Sequence, residues 1–115
     1  MTAPTIDRAT FDALQQTTGP EFASELVDTF LQEAPGMLDD LRQGLATMDA
    51  DRFRRAAHSL KSNSHTFGAL ALGALARDLE LAGVAQVAAR GAQPLTALEA
   101  EYARAAAALA GMRNA

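Results

Sequence analysis

The sequence predicts an all-α protein: an antiparallel four-helix bundle with a short additional capping helix at its N-terminal end. Three observations predict it. Apolar residues recur at steps of three and four along almost the whole chain, the spacing that places them on one helix face. Aromatics make up only 5% of the residues while alanine is abundant, which favours closely packed helices over a sheet. Gly19-Pro20, Gly68 and the Gly83 to Gly91 stretch separate the periodic segments, leaving short connections of the kind that join antiparallel helices.

Asp7 suits the cap of a first helix ending near Thr17, before Gly19. This helix is too short to be a full bundle member. Pro20 suits the first position of the second helix. Its stripe reads Phe22, Leu26, Phe30, Ala34, Leu38, Leu41, Leu45 and Met48, with a kink or break expected at Pro35, which removes the bond to the Leu31 carbonyl. Met37 and Met48 read as core filler. Asp49 or Asp51 caps a third helix carrying Phe53, Ala56, Ala57, Leu60, Ser64 and Phe67, with Gly68 ending it. Leu70, Leu75, Leu79 and Ala82 mark a fourth helix, and Gly83 to Gly91 reads as a connection. The last helix follows Pro94, with Leu95, Leu98, Tyr102, Ala105, Leu109 and Met112 on one face.

The 115 residues fit one domain spanning 1–115. A net charge of -4, spread along the chain, argues against a nucleic-acid partner. The absence of cysteine excludes disulfides and thiolate metal sites. No apolar stretch approaches the ~20 residues that span a bilayer, so no membrane partner is expected. Met1 to Arg8 lacks the basic start and apolar run of a secretory signal, which makes the cytoplasm the expected location.

The segment from Asp51 to Gly68 carries the chemistry. Turning each residue by about 100° puts Asp51, Arg54, Arg55, His58, Lys61, Ser62 and His65 on one polar side. Phe53, Ala56, Leu60 and Phe67 fall on the other. His58 is then exposed in mid-helix, with Lys61 one turn on and Arg54 and Arg55 one turn back. An imidazole with the reference pKa of ~6.5 keeps a free lone pair near neutral pH and needs no separate base to attack a phosphoryl group. Lys61 is placed to balance phosphate charge as a mobile point charge, and Ser62 is small enough to leave the approach open.

Other chemistries fit less well. His58 and His65 are seven residues apart, a rise of about 10 Å, and no third ligand is evident, so no metal site is expected. No acid is spaced along the sequence to orient His58 as in a hydrolase triad. Arg52, Arg54 and Arg55 read first as a solvated rim. There is no Walker-type phosphate loop and no room for a nucleotide-binding domain, which argues for a phosphocarrier and against a kinase.

The run Ala57-His58-Ser59-Leu60-Lys61-Ser62-Asn63-Ser64-His65-Thr66-Phe67-Gly68-Ala69 closely resembles the signature of histidine-containing phosphotransfer domains. That signature is Ala-His-x-Leu-Lys followed by small residues, an apolar residue, Gly and Ala. The resemblance implies that His58 is phosphorylated, that Lys61 stabilises the phosphate, and that Leu60, Phe67 and Gly68 are structural. Leu79-Glu80 resembles a family pair whose second member, Glu or Gln, lies near the active histidine. Phe30 to Pro35 (Phe-x-x-x-Ala-Pro) and Glu99 to Ala103 (Glu-x-Glu-Tyr-Ala) are also typical. Three positions depart: Ser62 for the commoner glycine, Asn63 for Ser or Ala, and His65 for a small residue, where it would crowd a docking partner.

The resemblance implies a phosphorelay carrier that moves a phosphoryl group between aspartates of response-regulator receiver domains, one of them often fused to a hybrid sensor histidine kinase. No cofactor is expected on this chain; Mg²⁺ should belong to the receiver. A monomer is expected. The alternative is a helical adaptor that binds a signalling partner without phosphorylation.

Overall fold

The computed structural model describes residues 5–112. Residues 1–4 and 113–115, which include the start of the Met1–Arg8 stretch and both ends of the expected 1–115 unit, lie outside the described residues. The described residues form five helices and no strand: α1 (Arg8–Thr18), α2 (Pro20–Thr47), α3 (Ala50–Phe67), α4 (Leu70–Ala89) and α5 (Gln93–Met112). The four longer helices make the bundle. α3 sits between α2 and α4, and α5 closes against α4 and α2. α1 packs on α2 and α3 and is tied to the α3–α4 turn by a 2.7 Å bond from the Asp7 amide to the Gly68 carbonyl.

Local chemistry sets most boundaries. Asp7 caps α1, accepting from the Thr10 amide at 3.1 Å, and Asp49 caps α3 by accepting from the Arg52 amide at 3.1 Å. Gly68 ends α3 with φ 83°, and the Ala69 amide returns to the Ser64 carbonyl at 2.8 Å. Phe53, Ala56, Ala57, Leu60, Ser64 and Phe67 are buried as their spacing predicts. Ser64 satisfies its hydroxyl by donating to the Leu60 carbonyl at 2.6 Å. At the centre Phe30 of α2 meets Phe67 of α3, ring centroids 5.3 Å apart, and Tyr102 of α5 edge-on at 6.3 Å.

The other helices correct the sequence reading in several places. α2 runs through Pro35 without a break. Phe30 and Ala34 before the proline and Leu38 and Leu41 after it are all buried on one face. That burial outweighs the roughly 3 kcal/mol that an interior proline costs. The N-terminal half of the stripe is one residue out of phase: Ala23 and Val27 are buried, while Phe22 is exposed. Met48 is also exposed, because it adopts the left-handed conformation that turns the chain out of α2. In α4, Leu72 and Ala76 are buried and Leu70 is exposed. The stretch from Gly83 to Gly91 is helical as far as Ala89. Within α4 only Gly83 leaves helical geometry, at φ 81° and ψ 165°, and the buried Val84 and Val87 fasten the segment beyond it to the core. Among the described residues no helix is long and apolar enough to cross a membrane.

Candidate functional site

The capped ends of α3 fix its rotation, and its buried face leaves His58 outward with its side chain 58% exposed. α4 packs alongside and brings Glu80 to it. Glu80 Oε2 lies 2.9 Å from His58 Nδ1, and Glu80 Oε1 lies 2.8 Å from Lys61 Nζ. A carboxylate only accepts, so the neutral imidazole donates from Nδ1 and keeps its lone pair on Nε2. The Lys61 ammonium, its hydrogen bond above all, holds the Glu80 carboxyl below its usual range; burial opposes this, and contact with His58 assists it. The site is an imidazole with one nitrogen tethered, the other available, and a buttressing ion pair beneath it.

Two expectations change here. Lys61 is not a mobile surface charge: its side chain is 24% exposed and ion-paired to Glu80. An acid does orient His58, although none is spaced to do so along α3. It comes from the next helix, 22 residues later, and only the Leu79-Glu80 resemblance pointed to it.

The remaining site residues divide by location. Ser62 is exposed, one turn from His58. His65 is exposed, and its ring leans on α4 where residue 73 is glycine: a Cβ there would stand 2.6 Å from His65 Nε2. It therefore lies along α4, and Gly73 is a supporting position that hydrophobic patterning does not reveal. Asn63 folds back on α3, donating to the Ser59 carbonyl at 2.8 Å. Arg54 and Arg55 are exposed but both bound to Asp51, at 2.7 and 3.2 Å, and they do not join the His58 cluster. Leu60, Phe67 and Gly68 are buried, Leu60 on the inner face of α3 two residues from His58 and Phe67 and Gly68 at the C-terminal end of that helix. On its α2 side an open groove of about 480 Å³ runs past Ser59, with Met37 and Ala56 on its floor. Among the described residues no group of three or more His, Asp or Glu side chains is placed to hold a metal ion.

A small helical bundle that presents one oriented, exposed histidine is the architecture of a phosphocarrier. The family model of the Hpt domain matches residues 25–111, and the chain belongs to the Hpt domain family. Among solved structures it is similar to the crystal structure of histidine-containing phosphotransfer protein B (HptB) from Pseudomonas aeruginosa PAO1. The two share a TM-score of 0.87 and 27% identity over 98% of this chain and 97% of that one. No curated protein matches the sequence. Family and fold together define a histidine phosphotransfer protein of a phosphorelay.

Proposed function

We propose that His58 is the phosphoryl acceptor, with Nε2 as the attacking atom. The observation that carries this is the Glu80 contact to Nδ1, which fixes the tautomer and leaves Nε2 as the free nucleophile on the exposed side. In the forward step the Nε2 lone pair attacks phosphorus of an aspartyl phosphate on a receiver domain. The N–P bond forms as the P–O bond to the aspartate breaks, and the carboxylate leaves with the electron pair. Glu80 stabilises the positive charge that develops on the ring while its proton stays on Nδ1. Lys61 keeps Glu80 ionised and in place. The reverse step returns the phosphoryl group to the aspartate of another receiver. Rate enhancement then comes from alignment and charge placement shared by two proteins.

In this reading the chain is a carrier and not a kinase. Its partners are response-regulator receiver domains and a hybrid sensor histidine kinase, it acts as a monomer in the cytoplasm, and Mg²⁺ belongs to the receiver. The test is incubation with a small phosphodonor or a phosphorylated receiver, followed by mass measurement. One acid-labile, base-stable phosphoryl group should appear, and His58→Gln should abolish it while keeping the helical circular dichroism. Labelling that survives in His58→Gln and disappears in His65→Gln would reassign the acceptor. No labelling of the wild-type protein would favour the adaptor.

A further inference from the structure

Arg77 stands out from every other described cation. Arg8, Arg42, Arg52, Arg54, Arg55, Lys61, Arg90 and Arg104 each have a carboxylate within ion-pair distance. Among the described residues Arg77 is the one lysine or arginine without such a partner, and it is exposed. Its nearest acids along α4 are already engaged. Glu80 gives its two oxygens to Lys61 and His58, and Asp78 pairs with Arg90 at 3.2 Å.

Its place in the fold is next to the candidate site. α3 and α4 run antiparallel, with Gly73 against His65 and Glu80 against His58. Arg77 lies between Gly73 and Glu80, one turn from each and close to the same line along the helix. It comes level with Lys61 and Ser62, about 4.5 Å of axial rise from Glu80, well within the reach of its side chain. Ser62 leaves space across from it.

The charges show what such a residue is for. In the unphosphorylated site the Lys61 and Glu80 charges cancel. A phosphoryl group adds roughly two negative charges that this cluster does not balance. A free guanidinium is the side chain best shaped to take two phosphoryl oxygens at once. We propose that Arg77 binds the phosphoryl group carried on His58, supplying from α4 the positive charge that Lys61 has committed to Glu80. The proposal rests on His58 being the phosphorylated residue.

The experiment labels the full chain with phosphoramidate, locates the phosphoryl group by mass spectrometry, and follows its loss after the donor is removed. One unit charge acting on a dianion at about 6 Å in a solvated site corresponds to roughly a three- to tenfold effect. Arg77→Ala should shorten the phosphohistidine lifetime by that factor and Arg77→Lys should recover part of it. Arg8→Ala, which removes the same charge from α1, should match the wild type. All three variants should keep wild-type circular dichroism. A wild-type lifetime in Arg77→Ala, or equal shortening in Arg77→Ala and Arg8→Ala, overturns the proposal while leaving His58 as acceptor. A wild-type protein that carries no label on His58 overturns the acceptor assignment itself, and the role of Arg77 with it.

Discussion

Two glycine-to-alanine substitutions inside helices should have opposite signs. Both gain the helix preference of alanine, about 0.5–1 kcal/mol. At Gly73 the new Cβ would meet the His65 ring, with Nε2 at 2.6 Å and Cδ2 at 2.7 Å. The ring is the far end of an exposed side chain, so turning it into solvent costs no more than about 0.5 kcal/mol. Gly73→Ala should therefore be neutral to stabilising, by up to about 1 kcal/mol. At Gly44 the new Cβ would meet backbone, Phe53 N at 3.0 Å and Phe53 Cα at 3.1 Å. There α2 and α3 must separate, and overpacking of this kind costs about 1–3 kcal/mol. Gly44→Ala should come out destabilised by roughly 0.5–2 kcal/mol after the helix gain. Urea unfolding followed by circular dichroism reads both, as midpoint shifts at constant slope. The Gly73 substitution has a functional consequence too. It drives His65 off α4 and into the docking face, so transfer from a receiver should slow while labelling by a small phosphodonor persists, and adding His65→Ala should restore transfer. A Gly73→Ala protein destabilised by more than about 1 kcal/mol would show that His65 is locked in place, and the reasoning would fail.

Lys61→Ala should cost about 1 kcal/mol, since it breaks a half-buried ion pair and leaves the Glu80 carboxylate held by His58 alone. It should also slow phosphotransfer; unchanged kinetics would remove Lys61 from the site. Leu60 and Phe67 are 0% and 2% exposed on the buried face of α3. Either changed to Ala should destabilise by roughly 2–5 kcal/mol in the same urea assay, and a loss below about 0.5 kcal/mol would contradict the packing. Ser62→Arg places bulk on the exposed face one turn from His58. Stopped-flow transfer from a phosphorylated receiver should fall much further than labelling by a small donor, and loss of neither would put the docking surface elsewhere.

The sequence disclosed what is decided within one helix and concealed what is decided between two. α3 was legible except for the choice between Asp49 and Asp51 as its cap, because its capping residues lie at its own ends and its six buried residues obey a single period. The phase of α2 was misread where Phe22 competes with Ala23, because a hydrophobicity pattern favours the large side chain while a close helix crossing favours the small one. The segment from Gly83 to Gly91 reads as a connection because glycine signals a break, and the chain does leave helical geometry at both glycines; Val84 and Val87 between them are too few to declare a helix by period, yet enough to bury one. The same division runs through the candidate site. His58 could be placed outward from α3 alone. The tautomer of His58 and the charge left on Lys61 depend on Glu80, which arrives from α4. Once Glu80 is in place Lys61 is half-buried and neutralised, so the positive charge that a phosphoryl group requires has to be sought on α4. Along the line that carries Glu80, that helix offers the unpaired Arg77.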